Sequence, residues 1–267
     1  HWDQVMSRFV ERLEKIAQGG TGGMGFGAAK AEKSPALALV GHISKNHAAG
    51  LATVAELGLD AALLAGINSP AGLKRLQKSL PSLPWGVHLE SLSEEDSQAY
   101  REQGCDMLAF SMEETTAAAV ATDEAARILY TDAGLEDREL RGIASLPLDV
   151  IVLRVPGLAG AWTLKDLAAV AMVSRRLDSF ILVEVSKAPT SKDLEALRDA
   201  GVDGLVVDME SIGSEALAEL KAAALDLPKQ KPGRRGGVAA IVPSSVFPSG
   251  SAAEPEHEED DDDYDDE

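Results

Sequence analysis

From Pro35 to Leu227 the chain alternates between short aliphatic runs and longer segments in which apolar residues recur every three or four positions. Eight runs read as strands: ALALVGH (36–42), DAALLAG (60–66), WGVHLE (85–90), DMLAFS (106–111), RILYTD (127–132), DVIVLRV (149–155), FILVEVS (180–186) and GLVVDME (204–210). Between them lie helical patterns such as NHAAGLATVAELG, PAGLKRLQKSL, SEEDSQAYREQG, DRELRGIASL, TLKDLAAVAMVSRRL and SKDLEALRDAG, and SEALAELKAAALDL follows the last run. Several of these end in Gly or Pro just before the next strand, which is helix-stop chemistry. Strands joined by crossover helices run parallel, because only a connection of that length returns the chain to the same edge. Eight strand–helix repeats predict an α/β fold closed into a barrel rather than an open sheet.

The flanks read differently. HWDQVMSRFVERLEKIAQGG sets Trp2, Val5, Met6, Phe9, Val10, Leu13 and Ile16 at helical spacing, with Arg8, Glu11, Arg12 and Lys15 opposite. This amphipathic helix is expected to plug one end of the barrel or pack on its flank; its pattern also suits a dimer contact, which keeps a homo-oligomer open, or a membrane-surface role. GGTGGMGFG (19–27) is too glycine-rich for a regular element, and it makes a poor phosphate loop because no strand precedes it and no Gly-Lys-Ser/Thr follows. Past Leu227 a basic, Pro- and Gly-rich linker, PKQKPGRRGG, leads through VAAIVP to an acidic tail, EPEHEEDDDDYDDE, which is expected to be disordered for want of apolar area. The expected division is 1–34 for the N-terminal helix and Gly-rich loop, 35–227 for the barrel, and 228–267 for the linker and tail.

One phrase recurs as ELGLDAALLAG, EQGCDMLAFS and DAGVDGLVVDM: a helix end, Gly, a small turn, Asp, then a strand. On these repeats, over residues 36 to 226, the chain resembles the (βα)8 TIM-barrel superfamily in general. The resemblance implies a site at the C-terminal ends of the strands.

Side chains alternate across a strand, so parity sorts them between barrel interior and helix layer. The bulky Leu37, Leu39, Val87 and Leu89 suit the helix side. The inward sets then run Ala36, Ala38, Val40, His42; Gly86, His88, Glu90; Ile128, Tyr130, Asp132; Val150, Val152, Arg154; Phe180, Leu182, Glu184, Ser186; and Gly204, Val206, Asp208, Glu210, the last of these one step beyond the barrel proper and expected on a loop. In strand after strand, small or apolar residues give way to ionisable ones at the C-terminal end, on one parity. The fourth strand is ambiguous.

Composition narrows the reading. A chain of 267 residues with 45% hydrophobic content can build one large core. Much of the formal charge of −19 lies after Glu254, where acids stand with no Lys or Arg. Nucleic acid is therefore an unexpected partner, since phosphates need clustered cations. No apolar stretch is long enough to span a membrane. The lone Cys105 excludes an intrachain disulfide and suits a reducing, cytoplasmic compartment.

The inward carboxylates Glu90, Asp132, Glu184 and Asp208 suggest two uses. They can hold a hard divalent cation such as Mg²⁺ through oxygen ligands, or raise one another's pKa so that one serves as general acid or base. Arg154 offers a planar fork for a substrate carboxylate, with His42, Tyr130 and Ser186 as further substrate contacts. His88 is the proton mover suited to neutral pH, with Glu184 and Asp208 as the other catalytic candidates. A bland alternative is a buried Arg154–Glu184 ion pair that only fills the barrel. By residue types the set resembles barrel lyases and aldolases of 2-oxo acids, which implies a metal-assisted lyase or isomerase of a small carboxylated metabolite. The loops after the last two strands lack the Gly-Gly turn of the common barrel phosphate site. The opposing reading is a catalytically silent barrel that engages a protein partner through its termini and acidic tail.

Overall fold

A computed structural model describes residues 7–18, 35–79, 82–155 and 161–228. The expectations for Trp2, Val5 and Met6, for the Gly-rich loop and for the linker and tail fall outside these residues.

All eight expected strands are present: β1 (Ala38–Ile43), β2 (Ala61–Ala65), β3 (Trp85–Leu92), β4 (Met107–Thr115), β5 (Ala126–Asp132), β6 (Val150–Arg154), β7 (Phe180–Val185) and β8 (Gly204–Asp208). They pair in parallel in chain order, and β8 pairs with β1 to close the barrel. Among the described residues eight helices accompany them: α1 (Arg8–Ala17), α2 (His47–Leu57), α3 (Pro70–Leu73), α4 (Glu94–Glu102), α5 (Asp137–Ile143), α6 (Leu164–Ser174), α7 (Ser191–Asp199) and α8 (Ser214–Asp226). PAGLKRLQKSL gives only the single turn of α3 and a 3-10 turn at Gln77–Ser79; Gly72 inside it lowers helix propensity. A 3-10 turn at Ala117–Val120 connects β4 to β5. Among the described residues no helix is long and apolar enough to cross a membrane.

The recurring Gly-x-Asp phrase has one structural meaning at all three sites. Gly58, Gly104 and Gly201 hold φ values of +62°, +87° and +93°, which side chains strain against. The next residue closes the helix end: Leu59 N–H donates to Val54 O at 3.0 Å, Cys105 to Tyr100 at 3.2 Å, and Val202 to Leu197 at 3.1 Å. The Asp then enters the sheet, with Asp60, Asp106 and Asp203 N–H donating to Leu39, Trp85 and Ile181 O at 2.8, 2.9 and 2.7 Å. Two of these carboxylates accept a main-chain N–H from the preceding strand, Leu39 on Asp60 at 2.8 Å and Ile181 on Asp203 at 2.9 Å. The motif therefore ends a helix, starts a strand and ties the N-terminal rim together.

Asp106 uses the same position to seat α1. Its carboxylate accepts from the N–H groups of Arg8 and Phe9 at 2.9 and 2.8 Å, a favourable anion at a helix start. Arg12 reaches Asp60 at 2.8 Å. Phe9, Val10, Leu13 and Ile16 then pack with the lumen residues Ala38, Val40, Leu63, Met107, Ile128 and Val152. Of the two expected placements α1 takes the first: it plugs the N-terminal end.

A second apolar cluster joins the outward faces of the strands to the helices, including Leu37, Leu39, Val87 and Leu89. Met107 and Ala109 lie in the lumen, which settles the inward parity of β4. Gly86 is there because nothing larger fits: a Cβ would stand 2.0 Å from Met107 O.

Candidate active site at the barrel mouth

Because the lumen below is filled by Val40, Ile128, Val152, Leu182 and Val206, the next inward residue on β1, β3, β5, β6, β7 and β8 emerges at the C-terminal mouth. Those residues are His42, His88, Tyr130, Arg154, Glu184 and Asp208. Register places His42 beside Asp208 and Asp132 beside Arg154.

The floor of the mouth is aromatic. His42 Nε2 and His88 Nδ1 lie 3.1 Å apart, and the His88 ring stacks on Tyr130 with centroids 3.9 Å apart and planes at 16°. Burial lowers the His88 pKa to about 4, with His42 and Arg154 pushing the same way. Burial also lowers that of His42, against the pull of Asp208 and Glu210. Both rings are neutral at pH 7, so one N–H donates to the other's lone pair. Tyr130 is buried, and burial raises its pKa well above the usual phenol value; Glu184 adds to the rise and Arg154 opposes it.

The carboxylates differ from one another. Burial raises the pKa of Glu184, Arg154 pulls it down and Asp208 pushes it up. Asp208 accepts from the N–H of Glu210 at 3.0 Å and from the Ser211 hydroxyl. Arg154 pairs with Asp132, not with Glu184, at 3.1 Å, both side chains being about half exposed at 51% and 56%. Register sets Asp132 directly opposite Arg154 across β5 and β6. Glu90 and Ser186 are exposed, and Glu210 sits on the loop beyond β8 with Ser44 and Lys45.

Among the described residues no three His, Cys, Asp or Glu side chains are grouped to hold a metal ion. Asp132 is engaged by Arg154, Asp208 by Ser211 and the Glu210 N–H, and Glu90 is exposed. The four carboxylates considered for Mg²⁺ thus form no such group among the described residues.

Two clefts open beside the aromatic floor. One, of about 590 Å³, is lined by His42, His88 and Glu90 together with Asn68, Ser91 and Asp96. The other, of about 400 Å³, is lined by Tyr130, Asp132 and Arg154 together with Met112, Glu113 and Glu139. The stacked His88–Tyr130 pair is shared between them. Asn68 and Asp96 escape a reading of strand ends because they belong to the loop after β2 and the first turn of α4. Glu113 is missed because β4 runs on to Thr115 through polar SMEET, pairing with β3 after a register shift between Leu89 and Ser91. The only sequence signal was the β-compatible Thr115 and Met112 among those acids.

A closed parallel barrel with its polar side chains at the C-terminal mouth defines a TIM-barrel protein. A mutant tryptophan synthase alpha-subunit from Pyrococcus furiosus is similar at a TM-score of 0.55 and 12% identity, over 70% of this chain and 95% of that one. Thiamine phosphate pyrophosphorylase from Pyrococcus furiosus is similar at 0.52 and 12%, over 70% and 95%. Tryptophan synthase from M. tuberculosis is similar at 0.52 and 12%, over 72% and 92%. Likeness at this identity is likeness of fold. No protein-family model matches the sequence, and no curated protein matches it significantly.

Proposed function

We propose that the mouth is the active site of an enzyme that transfers a proton on a small carboxylated metabolite, as a lyase or isomerase does. The observation that carries this reading is Glu184: a partly buried carboxyl, inward on β7, with its proton affinity raised by burial and an arginine close enough to oppose the rise. A carboxyl so placed is suited to take and return a proton. Arg154, half exposed, exchanges Asp132 for the substrate carboxylate. His88 acts as a neutral imidazole, because a pKa of about 4 keeps it uncharged at pH 7. Its bond to His42 fixes which ring nitrogen faces the substrate. Asp208, held by Ser211 and the Glu210 N–H, stands beside Glu184 and raises its proton affinity. Enzymes built on this fold carry their active sites at this face of the barrel, which supports the reading.

The test is deuterium exchange. Metabolite acids incubated with the full chain in D₂O should lose a C–H signal by proton NMR, and Glu184→Gln should stop the loss while far-UV circular dichroism stays unchanged. Exchange that continues at the same rate in Glu184→Gln would remove Glu184 from the reaction.

A further inference from the structure

Near the mouth β4 leaves the barrel wall. Its pairing with β5 ends at Phe110 opposite Leu129. Its pairing with β3 passes from Phe110 opposite Leu89 to Glu114 opposite Ser91, a step of four residues on β4 against two on β3. Among the described residues, Ser111, Met112 and Glu113 therefore have no register partner on either neighbouring strand. A bulge of this kind takes main-chain N–H and C=O groups out of the ladder, and bulges are over-represented beside active sites. Ser111 O accepts the Thr115 hydroxyl at 2.7 Å. Met112 and Glu113 are exposed and line the cleft of about 400 Å³ with Asp132 and Arg154. On its other side Thr131 and Asp132 pair with β6 but no longer with β4. The cleft is thus the wedge between two parting strands, with the main chain of the bulge along one wall and Arg154 at the other.

We propose that this bulge docks a secondary amide, main chain to main chain, so that the ligand of the cleft is an α-amido carboxylate: an N-acyl amino acid or the C-terminal end of a short peptide. This inference rests on the reading of Arg154 as the carboxylate anchor. Apart from Arg154 the charged side chains of the cleft are Glu113, Asp132 and Glu139, and carboxylates only accept hydrogen bonds. The ligand group beside the carboxylate must then donate, as an amide N–H does, while the amide oxygen answers an N–H of the bulge. A peptide group carries both at the spacing of a strand, which is how strand addition recognises a chain. Only β5 separates β4 from β6, so the bulge and the Arg154 backbone lie about two strand spacings, roughly 10 Å, apart. The arginine side chain and a hydrogen bond at each end take up most of that gap, which leaves a few bonds of ligand between carboxylate and amide.

Isothermal titration of the full chain with matched pairs tests this. N-acetylglycine is set against acetoxyacetate, which replaces the amide N–H by oxygen, and glycylglycine against 5-aminopentanoate, which replaces the amide by two methylenes. In at least one pair the amide should bind about tenfold more tightly, the worth of one hydrogen bond. A preference in the first pair alone assigns the site to N-acyl amino acids, and one in the second alone to free peptides. At saturation that amide should also shift the Met112 or Glu113 N–H resonance in amide NMR further than its matched partner does. Equal affinity within every pair overturns the inference, as does a preference that leaves both resonances unmoved. Equal affinities that vanish together in Arg154→Ala overturn the role of the bulge and leave the carboxylate site standing. Failure of all the ligands to bind overturns both.

Discussion

Lowering the pH should destabilise the protein through His88, and replacing His88 with Gln should remove much of that dependence. The ring sits in the mouth with a folded-state pKa of about 4, against 6.5 for a free histidine. The unfolded chain therefore takes up the proton first. Stability from this group is complete above about pH 6.5 and is lost as pH falls toward 4. Between pH 7 and pH 5 the excess of protons on the unfolded chain at this position rises from about a quarter to nearly one. Integrated over that window the difference is about 2 kcal/mol. Burial of His42 acts in the same direction. Glu184 acts in the opposite one: its raised pKa means that protonation favours the folded state as pH falls. Glu184 is present in both proteins, so its contribution largely cancels in a comparison. Urea denaturation of the full chain and of His88→Gln, followed by tryptophan fluorescence at both pH values, gives the difference. The wild type should lose about 2 kcal/mol more than the variant on going from pH 7 to pH 5. The variant also loses its stack on Tyr130, but that lowers stability at both pH values and leaves the slope to be read. Equal slopes would refute the assignment of a desolvated, neutral imidazole to this position.

Other perturbations address the frame that holds the site. Gly86→Ala would set a methyl group 2.0 Å from Met107 O, so β3 and β4 must part; we expect the soluble yield or the thermal midpoint to fall sharply, and a wild-type midpoint would contradict the stated packing. Leu13→Ala should cost about 3 kcal/mol in urea denaturation, because Leu13 is 1% exposed where α1 plugs the lumen; a loss under about 1 kcal/mol would place α1 on the surface instead. Asp106→Ala removes the acceptor for the α1 N–H groups and should raise amide hydrogen exchange at Arg8 and Phe9 before other parts of the barrel respond.

Much of the barrel is legible in the chain because each of its signals is local and repeated. The turn glycine, the buried residue after it and the aspartate that opens the strand are adjacent in sequence, so ELGLDAALLAG can be read without knowing what it packs against. Parity along β1, β5, β6, β7 and β8 is equally local, and it sends His42, Tyr130, Arg154, Glu184 and Asp208 to the inward face. Pairing is not local. Parity gives the face of Arg154 but not its partner: acids stand on both neighbouring strands, and the ion pair forms with Asp132 on β5. The same limit hides the electrostatics of His88. Its near-neutral character in isolation suggests a proton mover, whereas burial against Tyr130 and His42 lowers its pKa and transfers that role to Glu184 in our proposal. Loop residues such as Asn68 and Asp96 carry no periodic signal, and only the fold shows that they border a cleft.

The claim on which the account depends is that the charged strand ends share one partly desolvated mouth. Carbon-detected NMR titration of the Glu184 carboxyl measures this directly. The midpoint should lie above the ordinary 4.5 and rise further in Arg154→Met, because Arg154 is the main influence pulling it down. A midpoint at or below 4.5, or one that does not move in Arg154→Met, would show that Glu184 and Arg154 do not share a site.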